Sequence, residues 1–126
     1  MTRRPAETIG VQHRLRTSKD YAAVKAAGRA LRGRHCLLLA AAFPGEPTRV
    51  GFIASRRGVG GAVQRNRARR RLREIVRRRW SGIAAHGYGL AFIAYRTAVT
   101  APHLELAAEV DRLLRDAGAV TGEPSA

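Results

Sequence analysis

The sequence predicts a single α/β domain of the α+β type, a small sheet packed with helices, and three observations predict it. Apolar residues recur with helical spacing in some segments and in strand-like runs in others, in the order α-β-β-α-β-α. The chain has 126 residues of which 45% are hydrophobic, enough for one core and one domain. No internal repeat is present.

Residues 1–12 mix Arg, Pro, Glu, Thr and Gly without periodicity and are expected to be a disordered basic tail. Thr17 or Ser18 can cap a short helix through Asp20, Tyr21 and Val24 to Ala27, with Gly28 as its stop. Its apolar face is thin. Residues 28–34 leave room for a further strand. Residues 35–43 are an apolar, strand-compatible run, and Pro44, Gly45, Glu46 and Pro47 read as a turn. A second strand follows over 48–55, with Val50, Phe52 and Ala54 on one face and Ile53 on the other, so the pair is expected to form an antiparallel hairpin. Gly58, Gly60 and Gly61 punctuate a flexible loop before the longest helix, 62–80. A strand over 88–95 carries no charge until Arg96. Thr100 caps a last helix with Pro102 in its first turn. Leu106, Val110, Leu113, Leu114 and Ala117 give that helix an apolar stripe, and Gly118 ends it. Residues 13–118 are therefore expected to form the domain and 119–126 a second disordered tail.

Charge narrows the function. Lys and Arg total 24 against 9 Asp and Glu, a formal net charge of +15. Such an excess repels itself in a compact fold and points to a polyanionic partner. No apolar run is long enough to span a bilayer, the longest being 36–43, and residues 1–10 lack the apolar region of a secretory signal. The single cysteine, Cys36, excludes an internal disulfide and a multi-cysteine zinc cluster, and in its apolar run it reads as a buried thiol. A cytoplasmic location follows by elimination.

The densest charge lies in 65–79, RNRARRRLREIVRRR, with nine arginines in fifteen residues. Ala68, Leu72, Ile75 and Val76 share one helical face that can dock on the sheet. Asn66, Arg69, Arg70, Arg73 and Arg77 form a second stripe turned away from it, and Arg67, Arg71 and Arg78 lie on a third side with Glu74. A solvated charged face is the bland alternative, but Glu74 alone offsets the arginines locally, and surface ion pairs are weak. Guanidinium forks suit phosphate and stack on bases. Asn66 adds a donor and an acceptor suited to a sugar hydroxyl, a base edge or a hydrated metal ion. The glycines before the helix match neither the dinucleotide fingerprint nor a phosphate-binding loop with Gly-Lys-Ser or Gly-Lys-Thr. They read better as a lead-in that leaves the helix N-terminus accessible to an anion.

These residues resemble a known family. Arg65-Asn66, two variable residues, Arg69-Arg70, two variable residues, then Arg73-Glu74 fill the signature of the bacterial ribonuclease P protein family. Ser55-Arg56-Arg57 and the glycine loop before it, Arg49-Val50-Gly51-Phe52 upstream, Phe92-Ile93-Ala94-Tyr95-Arg96 downstream, and His13-Arg14-Leu15-Arg16 with Asp20-Tyr21 also resemble the family, covering roughly residues 13–116. The resemblance implies a two-layer sandwich like the second domain of ribosomal protein S5, with a left-handed β-α-β crossover that the general preference for right-handed ones would not suggest. It implies a monomeric protein, one per RNA, that binds the catalytic ribonuclease P RNA through Arg56, Arg57, Arg65, Asn66, Arg69, Arg70, Arg73 and Arg77. It implies a second groove, between the first helix and the sheet, where Arg14, Arg16, Tyr21, Lys25 and Arg96 hold the 5′ leader of precursor tRNA. The holoenzyme would remove that leader using Mg²⁺ bound mainly by the RNA. Many members carry two aromatics one turn apart on the first helix. Here Tyr21 fills the first position, Lys25 stands at the second, and 37–39 of the facing strand lack an aromatic. The departure points to a groove that holds the leader more by charge than by stacking.

No residue is singled out as catalytic or metal-ligating. His13, His35, His86 and His103 are scattered, and the acids cluster on the last helix as Glu105, Glu109, Asp111 and Asp116, where they read as solvated helix charges. A metal-dependent nuclease needs converging carboxylates. Three alternatives stay open: a structural RNA-binding protein such as a ribosomal one, a self-sufficient nuclease, and, ranked lowest, a DNA architectural protein.

Overall fold

The computed structural model describes residues 9–121. The main elements are α1 (Ser18–Ala27), β1 (Arg29–Arg32), β2 (Cys36–Pro47), β3 (Arg49–Ile53), α2 (Ala62–Arg78), β4 (His86–Ala94) and α3 (His103–Asp116), with 3₁₀ turns at Val11–His13, Trp80–Gly82 and Arg96–Val99. The strands form one mixed sheet in the order β1-β2-β4-β3. β2 pairs antiparallel with β1 and β4, whereas β3 and β4 are parallel and joined through α2.

The expected hairpin of 35–43 with 48–55 does not form, because β4 lies between β2 and β3. Gly89, Leu90, Ala91 and Phe92 of β4 are buried on both faces, which demands the centre of a sheet. The expected turn at Pro44–Pro47 is instead the end of β2, past a register shift between Phe43 and Pro47. Proline cannot donate to a regular ladder there. Thr48 then fixes the passage to β3. It is fully buried, its N–H donates to Ala85 O at 2.9 Å, and its hydroxyl accepts from Tyr88 N at 3.3 Å.

Alternation along the strands divides the core in two. Cys36, Leu38, Ala40, Val50, Leu90, Phe92 and Ala94 face α2 and α3, packing on Leu72, Ile75, Val76, Leu106, Val110, Leu113 and Leu114. Each fully buried aliphatic here contributes about 1.5–3 kcal/mol. The opposite face carries α1 through Val24, Leu15, Ala41 and Ala91. Helices therefore flank both faces, and α1 adds a partial third layer to the expected two. It starts where read: Thr17 Oγ1 accepts from Asp20 N at 3.1 Å, and the Asp20 carboxylate accepts from Thr17 N at 3.1 Å.

Residues 9–12 and 119–121, expected to lie in the two tails, belong to the fold. Ile9 is buried in the main core, and Leu15 N donates to Val50 O at 3.0 Å, so 9–15 covers the outer edge of β3. At the other end Ala119 is buried, its carbonyl accepts from Ala84 N at 2.7 Å, and Val120 bridges to Ile83. The rest of both expected tails, 1–8 and 122–126, lies outside the described residues. Smaller differences are that α2 stops at Arg78, before Trp80, and that Pro102 rather than Thr100 is the N-cap of α3. No helix among the described residues is long and apolar enough to cross a membrane.

Candidate nucleic-acid interface

α2 buries Ala68, Leu72, Ile75 and Val76 as its periodicity requires, and this fixes the direction of every arginine around them. Those arginines fall into two groups. Arg67 and Arg71 turn to the 3₁₀ turn between β4 and α3. Arg67 Nε donates to Val99 O at 3.2 Å, and the Arg71 guanidinium spans Ala98 O, at 2.9 Å, and Ala101 O. Burial, with Arg67 nearby, lowers the Arg71 pKa. Arg77 and Arg78 both close on Glu74, at 2.5 and 3.1 Å, and their hydrogen bonds hold that carboxyl down at about 2. Arg79 pairs with Asp111 of α3. Arg77, expected on the RNA-binding stripe, thus has a side chain only 20% exposed and a carboxylate partner.

The other group faces outward and has no carboxylate partner among the described residues. Arg69 donates to Asn66 Oδ1 at 2.5 Å and reaches Ala54 O at 3.5 Å. The Arg73 guanidinium sits 5.6 Å from the centre of the Phe52 ring, which stacks on Phe92 at 5.8 Å, so a cation–π contact holds it at the edge of β3. Arg70 is exposed, beside a hollow lined by Val63, Asn66, Arg67 and Arg71. Arg65 lies half-buried in the first turn, and its Nε has no hydrogen-bond partner among the described residues. Arg56 and Arg57 are exposed on the connection from β3 to α2. That connection is more ordered than the flexible loop expected. Gly58 N donates to Ser55 Oγ and Val59 N to Ser55 O, both at 2.9 Å, while Val59 is buried and Gly60 takes φ +138°.

On the opposite face, Tyr21 and Lys25 lie one turn apart on α1. Tyr21 is half-buried over Gly51, with a backbone hydrogen bond from Phe52, and burial pushes its phenol pKa up. It shares a small hollow of about 100 Å³ with Arg14, Leu15, Phe52 and Arg73, so one edge of β3 joins the α1 groove to the arginine helix. Arg14 Nε also donates to Ile9 O at 2.7 Å. Arg16 and Lys25 are exposed. Arg96 is brought elsewhere, to a hollow with Val59, Gly60, Gly61 and Gln64 at the start of α2.

One cluster escaped the sequence reading. Glu109, expected to be solvated, is only 8% exposed and accepts backbone N–H bonds from Arg34 and His35 at 2.8 Å and Cys36 at 3.0 Å, tying α3 to the start of β2. His35 is buried between Thr97 Oγ1, at 2.8 Å, and Glu105, at 2.5 Å. The signal for Glu109 was present, since it stands three residues after Leu106 and four before Leu113, on the apolar stripe itself. Cys36 is buried as expected, and burial, with Glu109 beside it, pushes its thiol up. Among the described residues no group of three or more His, Cys, Asp or Glu is placed to hold a metal ion. The acids there are engaged instead by arginines, His35 or backbone N–H groups.

A basic α+β domain that projects a carboxylate-free arginine and asparagine face from one helix belongs to the class of RNA-binding subunits. The comparisons give the family. The ribonuclease P family profile matches residues 9–118. The ribonuclease P protein component of Symbiobacterium thermophilum is 39% identical over 112 residues, 88% of this chain and 96% of that protein. That of Acidothermus cellulolyticus is 44% identical over 82% of this chain and 86% of its own. The Staphylococcus aureus RNase P protein structure superposes with a TM-score of 0.74 at 22% identity, covering 86% of this chain and 97% of that one. The Thermotoga maritima protein gives 0.70 at 24%, over 82% and 96%. This chain belongs to the ribonuclease P protein family, the protein part of the endoribonuclease holoenzyme of tRNA 5′ maturation.

Proposed function

We propose that this chain binds the catalytic RNA of ribonuclease P through Arg56, Arg57, Arg65, Asn66, Arg69, Arg70 and Arg73, with Arg77 at the margin. The α1 groove then holds the 5′ leader of precursor tRNA through Arg14, Arg16, Tyr21 and Lys25. Arg96, in the 3₁₀ turn beside the start of α2, meets the leader where it approaches the RNA-bound helix. The observation that carries the reading is the division of α2: its outward arginines have no carboxylate partner among the described residues, while those paired with carboxylates or the 3₁₀ turn point elsewhere. The protein screens phosphate repulsion and positions substrate, and the RNA performs the cleavage. Mg²⁺ belongs with the RNA in this reading, because the acids here are already engaged. One protein acts per RNA, as a monomer in the cytoplasm, and the β3–α2–β4 connection is the left-handed crossover of an S5 domain 2-like fold.

Reconstitution with ribonuclease P RNA at low Mg²⁺ tests this: precursor tRNA cleavage should require the protein, and RNA-free protein should not cleave. Charge reversal of Arg69, Arg70 and Arg73 to Glu should leave a folded chain that does not assemble with the RNA. Normal assembly by that triple variant would refute the assignment of this face.

A further inference from the structure

α1 covers only part of its sheet face, and side-chain size decides which part. Beneath it the strands carry Ala41, Gly51, Gly89 and Ala91. A Cβ on Gly51 would lie 2.2 Å from the Tyr21 hydroxyl, and one on Gly89 would lie 2.8 Å from Val24 Cγ2. Further along, the same face carries Leu37, Ile93 and Ile53, aligned in one row across β2, β4 and β3. All three are half-exposed and belong to neither core.

The row continues onto the edge strand. Arg32 of β1 is the register partner of Leu37, so its side chain leaves the sheet on the same face. Its neighbours confirm the parity: Leu31 packs into the core on the opposite face, and Arg29 reaches the Asp116 carbonyl of α3 on that side. Arg32 is exposed, and its guanidinium has no hydrogen bond or ion pair among the described residues. Glu105 and Glu109 are on the other face, held by His35 and by backbone N–H groups. An aliphatic floor with Lys25 on the α1 side and an uncompensated guanidinium at the β1 edge fits a single strand whose bases lie on the floor and whose phosphates meet the cations.

We propose that Arg32 is a further leader-binding residue, holding a leader phosphate where the strand crosses β1, with Leu37, Ile93 and Ile53 under the bases. This rests on the leader reading of the α1 groove. The test is the affinity of the reconstituted holoenzyme for precursor tRNAs whose leaders are shortened one nucleotide at a time, with Arg32→Ala, Arg32→Glu, Tyr21→Ala and, as a charge control on α3, Arg115→Glu. Arg32→Ala should weaken long-leader binding roughly 3- to 10-fold, between an exposed ion pair and a charge-assisted hydrogen bond. It should lower the salt slope by about 0.7, and Arg32→Glu should do more. Both losses should vanish once the leader is too short to reach β1. If Tyr21→Ala shows a leader-dependent loss but Arg32→Glu does not, the groove reading stands and the role of Arg32 is overturned. Equal losses for Arg32→Glu and Arg115→Glu at every leader length also overturn it, since bulk charge then explains both. If neither Tyr21→Ala nor Arg32→Glu depends on the leader, the groove reading and this proposal fail together.

Discussion

Replacing Arg71 and Arg70 in turn separates the arginines that build this protein from those that serve its partner. Arg71 donates to two carbonyls, Ala98 O at 2.9 Å and Ala101 O, from a half-buried position. A hydrogen bond involving a charged group contributes about 1.5–3 kcal/mol. Water can reach the freed carbonyls in part, so Arg71→Ala should cost about 2–4 kcal/mol, a large share of a total of about 5–15. Arg71→Lys should recover about half, because one ammonium does not reproduce a planar fork across two acceptors. Arg70 is exposed with no such bonds among the described residues, so Arg70→Ala should change stability by less than about 0.5 kcal/mol. The assay is urea unfolding, read as a shifted midpoint at constant slope. In RNA titration the order reverses: Arg70→Ala should reduce the salt slope by about 0.7–0.9, and folded Arg71→Ala should keep it. Equal midpoints for Arg71→Ala and the parent, or equal destabilisation by both variants, would refute the division of α2.

Glu109→Ala should cost about 3–5 kcal/mol, since it strands the Arg34, His35 and Cys36 N–H groups, and Glu109→Gln should cost less because one oxygen remains, both by urea unfolding. Backbone N–H bonds from Arg16 and Thr17, with Thr17 Oγ1 and Arg49 adding, hold the Asp20 carboxyl below its usual range. A depressed folded pKa means that this stability is complete above the unfolded value near 3.9 and is lost as pH falls through the folded one. Asp20→Asn should therefore flatten the acid limb of the stability–pH curve, and an unchanged limb would contradict the capping role. Cys36 should resist thiol reagents in the native state and react at the rate of opening, because burial and Glu109 both disfavour its thiolate.

Helices were legible wherever periodicity and caps acted locally. The cap of α1, read as Thr17 or Ser18 and found at Thr17, and the buried face of α2 needed only spacing within a few residues. Strand pairing was not, because the hairpin expectation rested on sequence adjacency, whereas β4's apolar run on both faces decides that it takes the centre. Ile9 and Ala119 were missed because what orders them is distant, the edge of β3 for one and Ala84 for the other. At the interface the stripe of Asn66, Arg69, Arg70 and Arg73 was readable from helical offsets. What was not readable is which arginines the fold engages, because Arg67 and Arg71 bond main-chain carbonyls, which every residue carries, and Arg79 pairs with a carboxylate on another helix.

That last point explains how so basic a helix folds at all. Nine arginines between 65 and 79 face one carboxylate in the same segment, so ion pairing alone cannot neutralise them. Carbonyl dipoles at the 3₁₀ turn take Arg67 and Arg71, Glu74 takes Arg77 and Arg78, and Asp111 takes Arg79. These partners offset charge on one side of α2 and leave the remainder on the side of Asn66, Arg69, Arg70 and Arg73. The positive potential is then directional, and a polyanion that docks there relieves the repulsion the fold retains. If the RNA docks on that face, binding and stability are linked through it: RNA should raise the unfolding midpoint by mass action, and high salt, by screening the same repulsion while weakening the complex, should narrow the difference between free and bound protein.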